Sequence, residues 1–190
     1  MSDLLVFQIG FNKSATTSIH NFFTQNGYSS VHWDHGKWDK VMSLNHSNGF
    51  NLVAGHENIN VWTDIAYIIN HFEVLAQQYP HAKFIYNYRT MASWVKSRWN
   101  HYTTEQLNNV FLVPYNLVLE DITLSSFWKT DRLLHERRVN EYFCGIHANR
   151  LLRLNIETMS GKQIADFLPD FSFPVLDMPH SHKTLHSRHE

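Results

Sequence analysis

Apolar residues recur along this chain in short continuous runs separated by longer stripes at helical spacing. Leu4 to Ile9 is a nearly unbroken apolar run stopped by Gly10, the pattern of a strand buried on both faces. After the polar turn Phe11 to Ala15, Ile19, Phe22 and Phe23 follow a helical period, with Thr16 or Thr17 as the expected N-cap and Gly27 as the stop. Tyr28 to Trp33 reads as a second strand, and Trp38, Val41, Met42 and Leu44 as a helix ending at the Ser47-Asn48-Gly49 turn. From Ile65, the positions Ile68, Ile69, Phe72, Leu75, Ala76 and Tyr79 keep a 3.6-residue period up to Pro80, which predicts one helix. Lys83 to Tyr88 is a strand and Met91 to about His101 a helix, while Thr103 to Thr123 shows no readable period. Phe127 to Ala148 reads as helix, Leu151 to Ile156 as a late strand, and Ser160 or Gly161 as the start of a short helix carrying Ile164, Ala165 and Leu168. Alternating strands and helices predict a three-layer α/β sandwich with a central, mainly parallel sheet and ligands at the carboxyl ends of its strands.

Composition narrows the class. The chain has 190 residues, 43% hydrophobic and 14% aromatic, enough apolar surface to offset the chain entropy of folding. Residues 1–184 read as a single domain, followed by a polar tail that is expected to be mobile. Sixteen Lys and Arg against seventeen Asp and Glu argue against a general nucleic-acid binder, although a local anion site needs only a few positive groups. No apolar run approaches the roughly eighteen residues of a membrane span, and Met1 to Gly10 carry Asp3 and no basic stretch, so a cytoplasmic location is expected. The lone Cys144 offers neither an internal disulfide nor a thiolate cluster, and reads as a small apolar residue on a helix's buried side.

Chemistry concentrates first in Gly10 to Ser18, the segment joining the opening strand to the first helix. A helix N-terminus presents unpaired backbone N–H groups and partial positive charge, so a loop of small residues there wraps an anion. Lys13 adds a full charge, and Ser14, Thr16, Thr17 and Ser18 add hydroxyl donors. A polar turn with a Ser/Thr cap is the plainer alternative. The spacing differs from a nucleoside-triphosphate loop: Lys13 comes three residues after Gly10, and the second glycine of such loops is missing. The later strand ends in Arg89 where a metal-binding acid would stand, which implies a second anion.

These features resemble the PAPS-dependent sulfotransferases. Asn12-Lys13-Ser14-Ala15-Thr16-Thr17 is similar to their Lys-Ser-Gly-Thr-Thr loop, with Ala15 where glycine is usual and Ser18 where many members place Trp. Lys83-Phe-Ile-Tyr-Asn-Tyr-Arg89 followed by Ser97 resembles their second signature, a strand ending in Arg with Ser eight residues later. Pro80-His81-Ala82-Lys83-Phe84-Ile85, Arg150 to Ile156 and Pro179-His180 extend the likeness over residues 4 to about 184. The resemblance implies a P-loop-NTPase-like fold and transfer of a sulfuryl group from 3′-phosphoadenosine 5′-phosphosulfate (PAPS) to a hydroxyl or amine, leaving 3′-phosphoadenosine 5′-phosphate (PAP). It places Asn12, Lys13, Ser14, Ala15, Thr16 and Thr17 on the 5′-phosphosulfate, with Lys13 on the leaving oxygen, and Ser18 on the cofactor where many members set Trp against the adenine. Arg89 and Ser97 then hold the 3′-phosphate, and no metal is required.

The base is open between His32, whose ordinary pKa near ~6.5 lets it accept a proton at cellular pH, and Asp64, which also makes a good N-cap for the helix from Ile65. The Glu that carbohydrate-modifying members carry two residues before a His falls at Ser30 and is absent. Trp33 or Trp62 is expected to floor an acceptor pocket for a small molecule or carbohydrate. Pocket loops are expected over Trp33 to Asn60 and Thr103 to Thr123. The His32, Asp34, His35 group and the tail residues His180, His182, His186 and His189 have no metal-ligand spacing. Arg132, Arg137 and Arg138 read as a solvated helix face. A small-molecule kinase and a nucleotide-binding module without catalysis are the alternative functions, and the oligomeric state stays open.

Overall fold

A computed structural model of the chain describes residues 4–108 and 117–179, the side chains of 103–122 excepted. Five strands form its sheet: β1 (Val6–Gln8), β2 (Ser30–His32), β3 (Val61–Thr63), β4 (Lys83–Tyr88) and β5 (Leu151–Asn155). They lie in the order β2–β3–β1–β4–β5, with every pairing parallel. The Leu4 to Ile9 run therefore becomes the central strand, and its continuous hydrophobicity reflects burial on both faces. One face is covered by α1 (Thr16–Gln25) and α7 (Gly161–Phe167), through Ile19, Phe22, Phe23, Ile164 and Leu168. The other carries α2 (Lys37–Ser47), α3 (Ala66–Asn70), α4 (Phe72–Gln78) and the C-terminal end of α6 (Leu117–Tyr142), packed through Met42, Ile68, Phe72, Leu75, Val139 and Phe143. Because β1 sits between β3 and β4, the loop that follows it opens at the middle of the sheet's carboxyl edge, where this architecture receives ligands.

Several elements differ from the sequence expectation for identifiable reasons. The helix expected from Ile65 to Tyr79 is two helices broken at His71 (φ −128°, ψ 27°). There the imidazole stacks on Tyr67 at 4.0 Å, and Nδ1 lies 3.0 Å from the Tyr67 carbonyl oxygen. The apolar stripe survives the break because both halves face the same core. The helix after Arg89 runs on to Asn108 (α5, Met91–Asn108), and α6 starts well before Phe127. Cys144 is exposed just beyond the end of α6, not on its buried side.

Of the three arginines expected on a solvated face, only Arg137 is there, paired with Glu141 at 2.7 Å. Arg138 crosses to Glu73 at 2.7 Å, and Arg132 is buried. Ser160 does start the last helix, through a reciprocal capping box with Gln163. Residues 109–116 of the Thr103 to Thr123 stretch expected to shape a pocket, the Pro179-His180 likeness beyond Pro179, and the tail histidines lie outside the described residues; on either side of 109–116 the backbone is helical, in α5 and α6.

Candidate functional site

The segment from Gly10 to Ala15 is held from below by a buried hydrogen-bond network. Gln8, inside the apolar β1, donates from Nε2 to the Gly10 carbonyl and to Asn87 Oδ1. Asn87, at the end of β4, donates from Nδ2 to the Ser14 carbonyl. Gln8 Oε1 accepts the Asp64 backbone N–H at 2.8 Å, so one side chain ties the ends of β1, β3 and β4 together. The packing is tight: a Cβ at Gly10 would lie 2.2 Å from the Asn87 carbonyl oxygen, which is why glycine stands there. Farther along, Trp94 Nε1 donates to the Asn12 carbonyl at 2.9 Å and Arg98 reaches Asn12 Oδ1 at 3.4 Å.

Lys13 (φ 62°) and Ala15 (φ 60°, ψ 32°) both adopt the left-handed conformation. Left-handed residues alternating with others turn successive N–H groups toward one point, the geometry of an anion-binding nest. Ala15, rather than Thr16 or Thr17, is the N-cap of α1, and no side chain caps it. The first-turn N–H groups of α1 are thereby left for a ligand.

Above this loop lies a cavity of about 1110 Å³. Asn12, Lys13, Ala15, Thr16 and Thr17 line it from the loop, Arg89 and Ser97 from β4 and α5, and His32 and Asp64 from β2 and β3. All nine are brought to one cleft, with the loop between Arg89 on one side and His32 and Asp64 on the other. Ser14 and Ser18 are buried and take no part in the lining. Arg89 is oriented from Nε by Ser93 Oγ at 2.8 Å, one helical turn before Ser97. Trp33 borders the cleft half-exposed, whereas Trp62 is fully buried against Trp38 at 5.1 Å between ring centroids.

The two rivals for the base are neighbours. The Thr63 hydroxyl donates its single proton to the Val31 carbonyl at 2.8 Å, so toward His32 Nδ1, 3.0 Å away, it can only accept. Nδ1 therefore carries the ring proton, and in the neutral imidazole Nε2 is the accepting nitrogen. Nε2 lies 3.3 Å from Thr17 Oγ1 and 3.6 Å from Asp64 Oδ2. Burial pushes the Asp64 carboxyl up from its ordinary value, with Lys13, the Thr16 hydroxyl and His101 pulling the other way. A proton arriving on His32 would therefore sit beside a carboxylate that gains from a cationic neighbour. Asp64 does not act as the helix cap expected from sequence: Ile65 is the N-cap residue of α3, and the Tyr67 N–H is taken by Asp39 at 2.7 Å.

Sequence reasoning missed Gln8, Asn87, Asp39 and Arg98. Gln8 and Asn87 did leave a signal, as lone amides inside otherwise apolar strands. Arg98 left none: it lies between the Trp94 and Trp128 rings, at 5.3 and 4.8 Å, and burial lowers its pKa against the opposing charge of Asp131.

Comparison with known proteins gives the chain a family and a fold. The sequence pattern that defines the sulfotransferase domain matches residues 5–185. Among solved structures, the fold is similar to that of a sulfotransferase from Alicyclobacillus acidocaldarius, with a TM-score of 0.57 and 13% identity over 96% of this chain and 87% of that one. No curated protein sequence matches the chain.

Proposed function

The chain belongs to the sulfotransferase domain family, and from that premise we propose that it transfers a sulfuryl group from PAPS to a hydroxyl or amine of a small molecule or carbohydrate. One observation carries the reading: the Lys13 loop and the Arg89–Ser97 pair, two anion sites legible in sequence, line a single cleft that His32 and Asp64 also face. PAPS, when bound, supplies the activated sulfuryl group. The N–H groups at the start of α1, with Thr16 and Thr17, hold its 5′-phosphate, and Lys13 meets the negative charge that grows on the departing phosphate oxygen. Arg89, aided by Ser97, grips the 3′-phosphate through paired charge-assisted hydrogen bonds. On the opposite side of the loop, His32 Nε2 takes the acceptor's proton, and Asp64 stabilises the resulting imidazolium. The two residues thus divide one task.

The test is a calorimetric titration of PAP and of adenosine 5′-phosphate into wild type and Arg89→Ala. Wild type is expected to prefer PAP strongly, and Arg89→Ala to lose about 10²-fold in PAP affinity, the scale of a bidentate ionic hydrogen bond. Indifference of the wild type to the 3′-phosphate overturns the assignment. Magnesium-dependent ATP turnover in its place would establish a kinase.

A further inference from the structure

A second guanidinium stands behind Arg89, outside the cleft. Arg132, on α6, is 5% exposed, and its Nη2 donates to the Arg89 backbone carbonyl at 2.5 Å. The guanidinium lies 5.1 Å from the centre of the Trp94 ring, and among the described residues its buried Nη1 has no well-formed hydrogen bond, with the Tyr86 hydroxyl, likewise buried and unpaired, close beside the group. The surroundings are dry: burial pushes the nearby Tyr86 phenol up to about 12. Trp94 is itself fully buried and donates to the Asn12 carbonyl on its other side. One indole therefore braces both proposed anion sites, the first loop directly and the Arg89 peptide through Arg132.

A buried cation so sparsely paired among the described residues is a poor choice for stability, because desolvating it is costly and an apolar side chain of similar volume would serve the core better. Its charge is better matched once an anion enters the cleft beside Arg89. Resting on the reading of Arg89 as the 3′-phosphate clamp, we propose that Arg132 is a positioning residue of that clamp: it fixes the Arg89 peptide against Trp94 and adds buried positive charge behind the 3′-phosphate, without touching the nucleotide. Preference for a 3′-phosphorylated nucleotide then depends on a residue outside the cleft.

The experiment measures dissociation constants for PAP and adenosine 5′-phosphate in wild type, Arg132→Gln and Arg132→Lys, with thermal midpoints recorded alongside. Arg132→Gln keeps a donor for the carbonyl but removes the charge. It is expected to weaken PAP by about tenfold and adenosine 5′-phosphate by less than about twofold, the size of one ionic hydrogen bond set against none. Arg132→Lys restores part of the preference. A merely structural role would lower the thermal midpoint and weaken both nucleotides alike, and that result overturns the proposal, as does an unchanged ratio. Should Arg132→Gln fail to fold, the ratio in Arg132→Lys decides: a preference fully equal to wild type refutes the role. A wild type without any preference for PAP defeats the reading of Arg89 itself, and with it this inference.

Discussion

The half of the cleft built on β1 and β4 and the half built on β2 and β3 are made in different ways. In the first, the loop is fastened by Gln8, Asn87 and Trp94, all buried, and His135 on α6 adds a contact to the Ile9 carbonyl at 2.7 Å. In the second, Trp33 is exposed and His32 and Asp64 are only partly buried, and Trp33, Asp34, His35 and Asp64 all have positive φ, at 39°, 52°, 52° and 56°. Non-glycine residues in that region store backbone strain and collect at functional surfaces. The contrast teaches where precision is required. On the proposed reading, gripping a doubly phosphorylated nucleotide needs fixed donors, which a frame anchored in the core supplies. On the same reading, the surface that receives an acceptor is built from an exposed, strained turn that can change without unsettling the sheet.

Substitution of the base should separate the halves most sharply. His32→Ala is expected to lower transfer by ~10²–10⁴-fold, the contribution of a positioned base, while PAP binding by calorimetry stays as in wild type. A rate equal to wild type would pass the role to Asp64. Next in size is a stability contrast read by urea unfolding. Asn87→Ala leaves the Ser14 carbonyl and one of the two Gln8 Nε2 hydrogens without their partner and should cost about 2–4 kcal/mol. Trp33→Ala, at an exposed position on the other half, should stay within about 0.5 kcal/mol but raise the acceptor KM. Equal costs for the two would erase the distinction.

The smallest effect is in the pH dependence of stability, where the halves have opposite sign. Burial pulls His135 below its ordinary 6.5, so the unfolded chain takes up a proton that the folded one refuses. That contribution is complete above 6.5 and is lost as pH falls through the folded value. Burial pushes Asp64 above its ordinary 3.8, so its contribution is present below 3.8 and is lost as pH rises through the folded value. Thermal midpoints across pH should show His135→Gln flattening the acid decline and Asp64→Asn flattening the loss toward neutrality. Slopes unchanged from wild type would contradict both assignments.

What the sequence revealed followed from short-range rules. An apolar run ended by Gly10, a loop dense in hydroxyls and Arg89 with Ser97 eight residues on all act through spacing along the chain, and the sheet brings them together. The network under the loop was less legible, because hydrogen bonding between Gln8 and Asn87 spans 79 positions. The break at His71 leaves no mark in the sequence, since hydrophobic periodicity reports which face is buried, not whether the helix is continuous. Arg132 and Arg138 were misplaced for a related reason: a charged residue reads as solvated unless its partner is known, and Trp94, Arg89 and Glu73 lie far away in sequence. The left-handed Ala15 was hidden too, as only glycine advertises that conformation.

The contact between Gly10 and the Asn87 backbone has an evolutionary corollary. A position where no additional carbon fits cannot be explored by stepwise change, so a saturation library at residue 10 should return a single viable amino acid. On the proposed reading, enlargement of the cleft for a bulkier donor is open to the turn after β2 and to the long helices, and closed to the junction of β1 and β4.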